Sequence, residues 1–156
     1  MLDTIFGLPI HPLIVHATVV LVPLAAIAVL LTAYWSRFRY WIGPGTVVLT
    51  LLAVVLDPLT TQSGEALEHH LHRSELIERH SELADGLLPW LIALAVAAVA
   101  LYLWRPGVRR LLGDRTFPRW LIAGVITIAT IAALGALIQV VLIGHSGAVA
   151  AWSNVG

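Results

Sequence analysis

The chain has no cysteine, no lysine, a single methionine and little charge of either sign, with nine arginines set against nine acidic residues in 156 positions. Without cysteine there are no disulfides, no thiolate metal sites and no cysteine-ligated iron–sulfur clusters. The balanced charge gives no basic field, so no nucleic-acid partner is expected. Enzyme signatures are missing too: there is no nucleophile motif and no phosphate loop. His11 and His16 are five residues apart rather than the four a helical metalloprotease uses. No charged path crosses the apolar runs, which argues against a transporter. A stand-alone enzyme therefore has little support from these residues.

What the chain has in excess is apolar surface. It is 59% hydrophobic and only 12% charged, so much of its surface must face lipid rather than water. Four stretches are long enough for the ~20 residues that cross a hydrocarbon core. The expected helices cover about 12–35, 40–60, 74–104 and 119–143, with an outer segment over 61–86. The first has only Asp3 ahead of it and no basic leader, and reads as a retained span rather than a signal peptide. The expected fold class is all-α: one domain over 1–156, an integral membrane up-down-up-down four-helix bundle. A short amphipathic outer helix is expected between helices 2 and 3. No internal repeat is evident.

Arginines set the expected orientation. Arg37 and Arg39 lie between the first two spans, and Arg105, Arg109, Arg110, Arg115 and Arg119 between the last two. The positive-inside rule makes those loops cytoplasmic and puts both termini outside, on the outer or periplasmic side of a bacterial inner membrane. Trp35, Trp41, Trp104 and Trp120 then form the inner aromatic belt, with Trp90 and Trp152 in the outer one. In the outer segment, Gly64 is expected to open a short amphipathic helix and Ser74 to cap the next one.

With this topology all seven histidines fall on the outer half. The opening GLPIHPLIVH places His11 as a cap before Pro12 and His16 about one turn inside. About 140° of rotation separates them on a helix, so they converge only if His11 precedes the first turn. His80 and His145 approach from other helices. Asp57, before Pro58, either orients an imidazole or belongs to a helix-end turn. His69, His70 and His72 read as solvent-facing.

The GLPIHPLIVH opening, the SGEALEHHL and ERHSELAD stretches and the terminal GHSGAVAAW resemble an uncharacterised family of bacterial four-helix membrane proteins, a domain of unknown function. The resemblance covers nearly the whole chain. Some relatives are associated with Rieske-type iron–sulfur domains, which implies electron transfer with haem held by membrane histidines. The motifs carry that role to His11, His16, His80 and His145. This chain has no cysteine, so a redox partner would be a separate protein.

Three readings follow. In the first, haem b sits near the outer face between His16 and His145, with His80 as substitute, Gly135 admitting the macrocycle edge and Arg73 or Arg79 meeting the propionates. In the second, His11, His16, His80 and His145 bind a bare copper, zinc or iron ion, with Asp57, Glu78 or Glu82 completing the site. The third is a non-catalytic accessory or scaffold subunit assembling through small-residue faces, including Gly124, Ala132, Gly135 and Ala136, as a homo-oligomer or with a partner.

Overall fold

The computed structural model describes residues 4–5, 8–69, 74–111, 113 and 118–152. His70, His72, Arg73 and Arg115 therefore lie outside the described residues, as do the expectations attached to them. A small antiparallel ribbon of β1 (Thr4–Ile5) and β2 (Leu8–Pro9) precedes the helices. The rest is helical: α1 (Ile10–Tyr34), α2 (Ser36–Ile42), α3 (Gly45–Glu68), α4 (Glu75–Asp85), α5 (Leu87–Leu103), α6 (Pro106–Leu111) and α7 (Arg119–Trp152).

Four runs are long and apolar enough to cross a membrane: α1, α3, α4 with α5, and α7. Around the bundle α1 packs on α3 and α7, and α5 packs on the same two, so sequential spans are neighbours as short connections require. The core is built of small residues. Ala25, Ala26, Ala53, Ala97, Ala132, Ala133 and Ala136 are buried and bring the backbones close, while Leu91, Leu94 and Leu101 fill the centre. Outward-facing positions are equally apolar: Val20 is 68% exposed and Val96 62%, the pattern of a surface solvated by lipid.

Polar ties are few. Thr32 and Thr46 share a hydrogen bond of 2.9 Å between α1 and α3, and Thr18 and Thr60 share one of 2.7 Å. At the arginine-bearing end, Arg39 donates to the Thr32 and Ala33 carbonyls at 2.7 Å each and lies 4.4 Å over the Trp104 ring. It satisfies carbonyls that the end of α1 would leave open. Burial lowers its pKa from the ordinary arginine value, and these contacts offset the lost water.

Several boundaries differ from the sequence expectation. Tyr40 to Ile42 belong to α2, and Gly43, at φ 58°, makes the turn into Pro44 and α3. α3 runs unbroken through Pro58 and Gly64 to Glu68, so no separate helix opens at Gly64. The amphipathic helix between the second and third spans is α4, capped by Ser74 Oγ accepting from Ile77 N at 3.4 Å. α7 continues through Gly144 and Gly147 to Trp152, because helix packing there outweighs the glycines' freedom. Gly135 admits no cofactor edge: a Cβ there would lie 2.4 Å from the Trp90 indole, which fills the space.

Candidate functional site

α4 continues the run of α5 beyond Gly86 at the histidine-bearing end of the bundle and packs mainly against α7. Beside it lies a cavity of about 530 Å³, walled by α1, α3, α4, α5 and α7. Its walls are mostly apolar, including Val15, Val19, Leu87, Val140 and Ile143. That volume is in the range of small-molecule and cofactor sites. His11, His16, His80 and Asp57 all reach it.

His11 is the second residue of α1 rather than a cap before it. Its Nδ1 lies 3.2 Å from the Thr60 carbonyl and 3.0 Å from Ser63 Oγ on α3. The carbonyl can only accept, and Ser63 Oγ already donates its hydrogen to the same carbonyl at 2.7 Å. His11 Nδ1 therefore carries the proton, and Nε2 keeps its lone pair. The ring lies against Gly64, where a Cβ would stand 3.1 Å from the imidazole Cε1.

His80 on α4 repeats this arrangement. Its Nδ1 is 3.0 Å from Ser146 Oγ on α7, and Ser146 Oγ donates to the Ile143 carbonyl at 3.0 Å. Nδ1–H is again the donor and Nε2 the free acceptor. The ring rests on Gly147, where a Cβ would stand 3.0 Å from Cε1. The two imidazoles are near enough for their charges to interact. His16 Nδ1 also donates to a carbonyl, that of Pro12 one turn back, and its ring stands exposed at the cavity's edge.

Both histidines at the start of α1 reach one cavity although both are helical. Their angular separation holds, but the cavity is wide enough to be approached from two sides, His11 from the α3 wall and His16 from the rim. His145 does not join them. Ser146 and Gly147 face α4, and their neighbour, about 100° around the helix, is exposed and off the cavity wall. Glu78 and Glu82 are exposed and off the cavity wall; with Glu75 they line an adjoining acidic recess of about 620 Å³, which shares Glu65 and Glu68 with the cavity. Arg79 is also exposed and off the cavity wall.

Asp57 is buried, 5% exposed, in the middle of α3. The helix-end turn expected at Asp57–Pro58 is absent, because α3 continues for three more turns. Among the described residues no imidazole bonds its carboxylate either, and serine and backbone oxygens take the Nδ1 positions of His11, His16 and His80. Among the described residues, no group of three or more histidine, aspartate or glutamate side chains is placed to hold a metal ion.

Sequence reasoning missed Ser63–Gly64 and Ser146–Gly147. The signal was present, since Ser-Gly occurs twice in the chain, each time near the C-terminal end of a spanning helix. Without contacts, nothing linked either pair to a histidine 52 or 66 residues away.

A family profile described as a predicted membrane protein, DUF2231, matches residues 7–155. The chain belongs to the DUF2231 family. As a DUF2231 protein with four apolar spanning-length helices, it is a multi-pass helical membrane protein whose surface contacts the lipid bilayer. The match takes in every residue of the cavity wall. No curated protein and no solved structure matches this DUF2231 chain.

Proposed function

We propose that this protein binds haem b in the cavity beside α4, where His11 and His80 would hold the iron, and serves in electron transfer. One observation carries the reading. Two imidazoles from different helices are each fixed through Nδ1–H to a serine at 3.0 Å and backed by a glycine, and each offers an Nε2 lone pair to the same cavity. Metal-ligating histidines are held in this way, with the second ring nitrogen donating to a fixed oxygen. A haem iron needs one or two such ligands inside an apolar slot, and these residues fit that need. A bare ion requires three or more, and the described residues offer no such group.

The ligand pair differs from the His16 and His145 pair suggested by the sequence, because His145 is off the cavity and His16 stands at its rim. When bound, haem supplies a one-electron couple. The protein orients the imidazoles through Ser63, Thr60 and Ser146, and excludes water with the apolar wall. With the arginine-bearing end cytoplasmic by the positive-inside rule, the site lies near the outer face of a bacterial inner membrane, in reach of a separate redox partner.

The test is an optical spectrum of detergent-purified protein expressed with haem supplied, oxidised and then dithionite-reduced, with metal analysis on the same sample. A Soret band that shifts on reduction supports the reading. A colourless protein with stoichiometric copper, zinc or iron contradicts it in favour of an ion site, and one with neither leaves the accessory subunit.

A further inference from the structure

We infer that electron uptake at this site is coupled to uptake of one proton by Asp57; the inference rests on the haem reading. Asp57 is 5% exposed and lines the same cavity as His11 and His80. Its carboxylate has no hydrogen-bond donor among the described residues; the bond from Thr61 goes to the Asp57 backbone carbonyl at 3.2 Å. Burying a carboxylate charge with neither a donor nor an opposite charge is costly. Ionisable side chains inside membrane-spanning segments are functional candidates for the same reason. A carboxylate that opens onto a cavity with no donor among the described residues has a use if positive charge comes and goes in front of it.

The ionisable groups on the wall are His11 and His16 from α1, Glu65 and Glu68 from α3, and His80 from α4, while α5 and α7 contribute none. Asp85, at the end of α4, is the other carboxylate near Asp57. His11 and His80 are neutral when their Nε2 atoms act as ligands, so they bring no compensating cation. Haem held by two neutral imidazoles would carry one more positive charge on its iron–porphyrin core when ferric than when ferrous, its two propionates being unchanged. Asp57 keeps its negative charge opposite the ferric centre. When a one-electron donor reduces the site, Asp57 takes a proton and forms an O–H bond, and on re-oxidation it releases that proton. One electron and one proton enter together and leave together.

The route for the proton is on the same helix. Asp57, Thr61, Glu65 and Glu68 follow one another at turn spacing along the cavity-facing side of α3, and Glu65 is exposed. They form a polar strip from the buried carboxylate to the aqueous end.

The experiment is a spectroelectrochemical titration of the haem-loaded protein across pH, with infrared difference spectra of reduced minus oxidised samples. The wild type is expected to lose about 59 mV of midpoint potential per pH unit, one proton per electron, where Asp57 titrates. A protonated-carboxyl band should appear on reduction. Asp57→Asn, close in size, should raise the potential, flatten its pH dependence and remove the band, while Glu75→Gln and Glu82→Gln, which lie off the cavity wall and off the polar strip, keep all three wild-type properties. A wild-type potential that ignores pH, or a slope and band that survive in Asp57→Asn, would overturn the inference and leave the haem reading intact. If Asp57→Asn does not assemble, the wild-type slope and infrared band still decide. Absence of any Soret band rejects the haem reading itself.

Discussion

The His80 imidazole donates from Nδ1 to Ser146 Oγ at 3.0 Å, a bond that closes 66 residues of chain and fixes α4 against α7. His11 does the same with Ser63 at 3.0 Å, and adds the Thr60 carbonyl at 3.2 Å. His80 therefore depends on one oxygen where His11 has two. Ser146→Ala is expected to weaken haem retention by roughly 10- to 100-fold, the usual cost of losing an outer partner of a metal-ligating histidine. Ser63→Ala should cost clearly less. Haem-transfer rates to an acceptor protein measure both, and equal losses would contradict the asymmetry.

Gly64 and Gly147 are the floors on which the two rings lie. A methyl group at either position would meet Cε1 at 3.1 or 3.0 Å, so the imidazole must tilt while the helix is undisturbed. Gly64→Ala and Gly147→Ala are expected to leave helicity and detergent stability near wild type and to shift the Soret maximum. Circular dichroism and optical spectra on the same samples separate the two effects.

Gly135 serves packing only. A Cβ there falls 2.4 Å from the Trp90 indole, a rigid group wedged between α5 and α7. Gly135→Ala should destabilise the bundle by about 1–3 kcal/mol, as overpacking does. Unfolding in mixed micelles would show it, and Trp90→Ala combined with Gly135→Ala should recover part of the loss.

Gln139 Nε2 donates to the Leu83 carbonyl at 2.6 Å and ties α7 to the end of α4. Gln139→Leu should cost about 1 kcal/mol, in the range measured for polar contacts between membrane helices. The same substitution should speed hydrogen exchange in α4, because that helix has few other ties below His80.

Much of the architecture was legible because apolar length alone names a spanning helix. The four runs, the short connections and the small residues of α7 required no tertiary information. Boundaries were less legible where packing overrides local preference, as when α3 passes through Pro58 and Gly64 and α7 through Gly144. At the site, histidine identity and grouping at one end of the bundle could be read, and His11, His16, His80 and Asp57 do share a cavity. Which face His145 takes could not be read, since helical phase at a span's end is set by contacts with α4. The two Ser-Gly pairs meant nothing until their histidines were seen lying on them.

The measurement that bears most directly on the central claim is the optical spectrum of three single variants, His11→Ala, His80→Ala and His145→Ala, expressed with haem supplied and compared with wild type. The account predicts that His145→Ala keeps the wild-type Soret band and its shift on reduction, and that His11→Ala and His80→Ala each lose haem or the six-coordinate spectrum. A variant set in which His145→Ala abolishes the band while His11→Ala and His80→Ala keep it would contradict the assignment of the site.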